Sequence, residues 1–546
     1  MKDGMKSRAP WLAVIVIASL SFSACGSGSG GGSTPPPATY TIGGTVFGLS
    51  GTGLVLQDNG GSNLPVSATG AFAFTTPTTS GGTYNVSVLT QPSGPAQSCA
   101  VTNGSGTANA NVTSVQVACV SEWTWMSGAN VIGQPGMYGT LGTAAPGNVP
   151  GAGVAASSST DVAGNLWLFG GDRGDSNGTW GNLNDLWKYN DGEWTWMSGA
   201  NTVNQSATYG TLGTAAPGNV PGARSFSASW NDATGDFWLF GGSLDATGTS
   251  DFLNDLWKFS AGEWAWMGGA NIPNQPGIYG TQGIADPGNI PGARGEVVTW
   301  IDAHGDVWLF GGKGSYSPPD NFPLFNDLWK YSANEWTWMG GANATGQPGT
   351  YGTLGTPASG NVPGARFWAV SWTDAAGNFW LFGGIGYASA GTTGFLNDLW
   401  EYSEGEWAWM GGSDGLNQQG TFGTQGVPVL SNVPGARYGA VSWTDSAGNL
   451  WLFGGNGYDS AGTYGFLNDL WKYSAGEWTW MGGAKVVNQA GTYSAQGATA
   501  PSNAPGARAY AISWTDAAGN FWLFGGAGYN STATFGDIND LWKYEP

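Results

Sequence analysis

This chain has little of what metalloenzymes and nucleic-acid binders depend on. It carries one histidine and three cysteines in 546 residues, which excludes a histidine-built metal centre and a cysteine-dense disulfide scaffold. Charged residues make up only 10%, against about 25% in an ordinary soluble domain. The 16 Lys and Arg are outnumbered by 36 Asp and Glu, for a net charge of −20. Phosphate binding needs clustered cations, so no nucleic-acid partner is expected. No stretch after residue 25 sustains helical periodicity. What is plentiful is glycine, at 96, and tryptophan, at 32. Together they indicate many short strands, tight turns and flat aromatic filling.

The N-terminus reads as a targeting segment, residues 1–24. Lys2, Lys6 and Arg8 precede an apolar run from Trp11 to Leu20 that is too short to span a bilayer as a mature helix. Phe22-Ser23-Ala24-Cys25-Gly26 then resembles a bacterial lipobox, with Phe22 where leucine is usual. The resemblance implies a lipidated Cys25, membrane attachment and an outer-membrane or cell-surface address. Ordinary signal cleavage nearby, giving a periplasmic or secreted protein, is the other reading. Cysteine arithmetic favours the lipid: pairing Cys99 with Cys119 as a disulfide leaves Cys25 over. Residues 25–39 are a Gly/Ser tether with a proline run. Residues 40–120 hold short alternating runs between Gly, Asn and Pro turns, predicting a small antiparallel β-sandwich. Gly44-Thr-Val, Gly70-Ala-Phe-Ala-Phe and Gly81-Gly-Thr-Tyr-Asn-Val give it a resemblance to carboxypeptidase-regulatory-like and Ig-like spacer domains.

From 121 to 546 one unit is repeated. Glu-Trp-(Thr/Ala)-Trp-Met begins at Glu122, Glu193, Glu263, Glu335, Glu406 and Glu477, a period of about 71 residues. Each copy then supplies a polar tract, a strand opening Pro-Gly-Ala-Arg, a turn such as Asp374–Asn378, a strand ending in Gly-Gly, a variable loop and Asn-Asp-Leu-Trp. An alternating Trp-x-Trp strand puts both indoles on one face, and a two-residue turn at Asp191-Gly192 would set Tyr189 opposite Trp194 and Trp187 opposite Trp196. The double glycine, as in Gly383-Gly384, and an aromatic followed seven residues on by tryptophan, as in Tyr402 and Trp409, resemble the kelch repeat. The units are longer than usual for that family. The resemblance implies a six-bladed β-propeller. The chain ends on Asn539-Asp-Leu-Trp542 with no Trp-x-Trp strand after it, while Trp123-Thr-Trp125 stands unpartnered at the start. Pairing the two would close the ring and remove its open edges.

Strand parity places the short turns on one face of the disc and the long tracts and variable loops on the other, which makes the long-loop face the candidate for function. Aromatic candidates there are Trp180, Tyr316, Tyr387, Tyr458 and Tyr529. Gln134 and its five equivalents, each followed by an aromatic such as Tyr138 or Phe422, serve either a ligand or the packing of the tract. Arg224, Arg294, Arg366, Arg437 and Arg508 open the inner strands, with Gly153 in the first copy. Kelch domains that bind acidic peptides use arginines near this point, so a basic ring at the channel mouth is one reading. Structural pairing with the repeated Asp of Asn-Asp-Leu-Trp is the other. A copper centre like that of the kelch-containing galactose oxidase needs two histidines, and only His304 is present, in a short turn; no cofactor is expected. Asp175, Asp245, Asp320 and Asp459 are the acids available to a glycosidase. Arg173-Gly-Asp-Ser176 matches an integrin-binding tetrapeptide, a weak match in so glycine-rich a chain. The expectation is therefore a monomeric, non-enzymatic binding protein of the cell envelope with a glycan or protein ligand, the alternative being a carbohydrate-active enzyme.

Overall fold

The computed structural model describes residues 36–244, 250–315 and 323–546. Cys25, Asp245, Tyr316 and Asp320 lie outside them. Among the described residues every element is a β-strand. From Trp123 onward the strands form six antiparallel sheets of four or five strands in a propeller-like arrangement. In one of them, Val370–Thr373, Phe379–Tyr387, Thr393–Ser403 and Glu406–Gly411 lie side by side as inner, second, third and outer strands. The others repeat this order. In the sheet that contains the C-terminus, the outer strand comes from the front of the repeat: Trp123 faces Tyr544 and Trp125 faces Trp542.

The register follows from the side-chain alternation. Tyr189 lies opposite Trp194 and Trp187 opposite Trp196, with Asp191 and Gly192 both at positive φ in the turn between them. The rings point into the spaces between sheets. One core cluster joins Trp372, Trp380 and Phe382 of one sheet to Leu452, Trp471 and Trp478 of the next. Equivalent clusters fill every other interface, including Trp514 and Trp522 of the last sheet against Trp187 and Trp194 of the first. Each buried ring removes about 150–250 Å² from water, which makes these interfaces the main cohesive force. Inner strands touch in a cycle, from Ser157–Thr160 through Ala228–Asn231, Val298–Ile301, Val370–Thr373 and Val441–Thr444 to Ile512–Thr515 and back.

Residues 39–121 form two four-stranded sheets and a two-stranded one, Thr39–Tyr40 with Thr78–Thr79, around one core that includes Ile42, Leu56, Val86, Val117 and the Cys99–Cys119 disulfide. The unit is not purely antiparallel. Ile42–Phe47 pairs in parallel with Val112–Ser121, the strand that then runs directly into the repeat.

Candidate functional site

The five repeated arginines do not line an opening. Arg224, Arg294, Arg366, Arg437 and Arg508 are at most 1% exposed. Arg366 donates to both carboxylate oxygens of Asp398 at 2.7 Å and to Gly364 O and Gly383 O. Tyr351 and Trp400 donate to the same carboxylate, each at 2.7 Å. A fully buried guanidinium that spends four bonds inside the fold offers nothing to a ligand, so the basic-ring expectation is corrected. The arrangement pins the start of the inner strand to the third strand.

In the first sheet the arginine is transposed. Arg366, Arg437 and Arg508 each pair across strands with a glycine, Gly386, Gly457 and Gly528. A Cβ on Gly386 would lie 2.5 Å from that of Arg366, so only one member of the pair can carry a side chain. In the first sheet Gly153 pairs with Arg173, and Arg173 reaches back to form the salt bridge with Asp185. Arg173 and Asp175 are 1% and 2% exposed, so the Arg-Gly-Asp part of the tetrapeptide is interior. Asp175 accepts from Asn177 N and Thr179 N, and Asp459 from Ala461 N and Thr463 N. These two buried acids hold their own loops and are unavailable to a glycoside, which corrects their candidacy. The repeated glutamines are likewise local: Gln347 Nε2 donates to Thr345 O. His304 is exposed in its turn.

Two residues beyond each arginine position lies a feature that sequence reasoning missed. Ala155, Phe226, Glu296, Trp368, Gly439 and Tyr510 all adopt left-handed backbone, with φ between 54° and 61°. They form a ring at the long-loop end of the inner strands: Phe226 N donates to Ala155 O, Glu296 N to Phe226 O, Trp368 N to Glu296 O, Gly439 N to Trp368 O and Tyr510 N to Gly439 O. Left-handed backbone at large side chains costs of order 1 kcal/mol or more each and persists where the surroundings enforce it. The signal was available. Inside a tightly repeated sequence, this dipeptide is different in every copy: Val-Ala, Ser-Phe, Gly-Glu, Phe-Trp, Tyr-Gly and Ala-Tyr.

Trp368 is the hub of this mouth. Its ring stacks on Tyr438 at 5.3 Å, meets Tyr510 edge-on at 5.0 Å and lies 5.9 Å from Phe226. Outward from it, Phe395 stacks on Tyr464 at 5.2 Å, and Phe466 packs on Phe535 at 4.8 Å. Tyr464, Phe535 and Trp180 are 45%, 47% and 41% exposed. Of the predicted aromatics, Trp180 is exposed while Tyr387, Tyr458 and Tyr529 are half-buried at the base of the same loops.

Three carboxyl groups serve this mouth. Glu296, 6% exposed, has no hydrogen-bond partner on either oxygen, and burial raises its pKa to about 8 despite nearby Lys313. Asp172 follows the double glycine of the first sheet and pairs with Val154, next to Ala155. Asp537 pairs with Ala527, whose other partner, Ala509, precedes Tyr510. The two acids thus flank the seam between last and first sheets. Burial raises both, and Asp537 rises to about 6 with the charge of Asp172 adding to the effect. Beyond the ring, a cavity of about 510 Å³ runs between the inner strands toward the short-turn face. Several of its hydroxyls are spent on neighbouring strands, Ser442 Oγ donating to Ser371 O and Thr444 Oγ1 to Thr373 O. Among the described residues no group of three or more His, Cys, Asp or Glu could hold a metal ion.

No protein-family model matches this sequence. No curated protein matches it either. Among solved structures, the chain is similar to the structure of YjhT, at 13% identity and TM-score 0.42, over 72% of this chain and 95% of that one. It is also similar to a fungal alcohol oxidase with catalytic diversity among the AA5 family, in complex with copper, at 14% identity and TM-score 0.36, over 72% of this chain and 62% of that one. The molecule described here is an all-β protein of propeller-like architecture. The expectation of a protein without enzymatic activity is not carried further, because this mouth holds two carboxyl groups, Asp172 and Asp537, that burial keeps protonated to higher pH than usual.

Proposed function

We propose that this protein is a carbohydrate-active enzyme of the cell envelope, built as a closed six-bladed kelch-like propeller behind a small spacer β-sandwich and acting on glycans at the long-loop mouth. In this reading the first Trp-x-Trp strand seals the ring, and lipidated Cys25 with its tether holds the molecule on the outer membrane or cell surface. The observation that carries the activity is the Asp172–Asp537 pair. Two half-buried carboxyls at one seam, one of them raised further by the charge of the other, divide the roles of acid and base. Asp537, with its pKa at about 6, keeps a proton to give to a leaving oxygen, while Asp172 serves as the carboxylate. The exposed faces of Trp180, Tyr464 and Phe535 supply flat surfaces for pyranose rings.

The test is incubation of the full chain with a panel of oligosaccharides, scored both for binding and for new reducing ends. Turnover that disappears in Asp537→Asn, with binding retained, supports the reading. Retention of a glycan with no turnover by the wild type would instead favour a binding protein using the same aromatic surface.

A further inference from the structure

The distribution of charge over the molecule narrows the ligand. All six described arginines are buried in ion pairs with aspartates of their own sheets. Lysines 188, 258, 330, 472 and 543 are held at the short-turn face by Asp161, Asp236, Asp306, Asp445 and Glu545. Lys485 lies over Trp480, its ammonium donating to Gly423 O in an inter-sheet tract. Beside the mouth Lys313 lies over Phe367 and its charge acts on Glu296, and the carboxyls there are Glu296, Asp172 and Asp537. The chain as a whole carries −20, which attracts cations.

A second observation is independent of that tally. Glu296 is 94% buried, and both its oxygens lack a hydrogen-bond partner. It stands in the ring between Phe226 and Trp368, whose side chains close on each other at 5.9 Å. Its charge acts on Tyr510 on the opposite side of the ring, so the carboxyl lies within electrostatic reach of that side chain. A buried carboxyl left unsatisfied costs free energy that a partner would recover. Trp368, Phe226 and Tyr510 are half-buried and present ring faces beside it. An ammonium group satisfies both demands at once, as an ion-pair partner for the carboxylate and as a cation over aromatic faces.

We infer that the mouth recognises a glycan bearing a free amino group, with Glu296 and the faces of Trp368, Phe226 and Tyr510 receiving the ammonium. This deepens the carbohydrate-active reading and rests on it. The exposed rings outward from the mouth accept the sugar planes, and the acid pair at the seam lies alongside.

The probes are three tetrasaccharides of matched length: β-1,4-linked glucosamine, its fully N-acetylated form and the neutral glucose analogue. They are titrated against the full chain by tryptophan fluorescence at a pH where the amine is charged. The glucosamine tetramer is expected to bind at least about tenfold more tightly than either neutral tetramer, a difference of about 1.4 kcal/mol. That preference is expected to shrink with added salt and to vanish in Glu296→Gln while weak binding of all three persists. Equal affinity for the three tetramers overturns the charge inference and leaves the glycan reading standing. Binding of none of them, with tight binding of a lysine-rich peptide, overturns both. An undiminished preference in Glu296→Gln and in the Asp172→Asn/Asp537→Asn double variant also overturns the assignment.

Discussion

The transposed arginine makes the most demanding prediction about the fold. Arg173→Gly removes the guanidinium that neutralises Asp185, which is 0% exposed. Breaking one side of a buried ion pair costs about 3–5 kcal/mol. Tyr138 and Trp187 still donate to Asp185, each at 2.7 Å, so the lower end of that range applies. Gly153→Arg alone drives a second side chain into the space Arg173 occupies, an overpacking cost of about 1–3 kcal/mol with an added unpaired charge. Combined, the two changes recreate the Arg–Gly arrangement of the later sheets. There the arginine makes two bonds to its aspartate, whereas in the first sheet Arg173 bonds one oxygen and its Nη1 is unsatisfied. The double variant should therefore unfold at or above the wild-type midpoint, with a coupling energy of at least about 3 kcal/mol. Chemical unfolding of the full chain followed by tryptophan fluorescence measures it. If Arg173→Gly unfolds with the wild type, or the double variant is no better than the worse single one, the pinning role is refuted.

Other perturbations have defined outcomes. Phe422 replaces the tyrosine that elsewhere donates to the buried aspartate, so Phe422→Tyr should add a bond to Asp469 and raise stability by about 1 kcal/mol, read from the unfolding midpoint. For Glu296 the folded-state pKa, about 8, lies above the ordinary glutamate value of 4.5, so the folded state binds the extra proton. Stability therefore falls as pH rises between those values. Glu296→Gln should flatten that decline and be the more stable form at alkaline pH, and identical pH profiles would contradict the burial argument. Asp537 is raised in the same sense, to about 6, so Asp537→Asn should gain on the wild type as pH rises from about 4 to 6 and match it in stronger acid.

What the sequence disclosed and what it hid have separate physical causes. Sheet order and register were legible because tryptophan alternation within a repeat specifies which face of each strand is buried, and Trp123-Thr-Trp125 could pair only with the strand ending at Tyr544. The fate of the arginines was undecided because Arg366 and Asp398 meet through three-dimensional packing across 32 positions of chain. The acids were misassigned because Asp175 and Asp459 stand in loops, where function is usually sought, yet those loops fold around them. Asp172 and Asp537 sit within strands that the repeat made look purely structural. The left-handed ring escaped because it is a backbone feature, marked only by a dipeptide that refuses to repeat. That irregularity was the cue to specificity, and it lay beside the most regular motif in the chain.

The account stands on the claim that the acidic, aromatic mouth is where the molecule acts. The direct measurement is release of new reducing ends from the glucosamine tetramer by the full chain, compared with Asp537→Asn and with Arg366→Lys. The account predicts turnover by the wild type, loss of at least about a hundredfold in Asp537→Asn with tetramer binding intact, and an Arg366→Lys defect confined to stability. Turnover unaffected by Asp537→Asn and abolished in a stably folded Arg366→Lys would contradict it, and would return the site to the arginines.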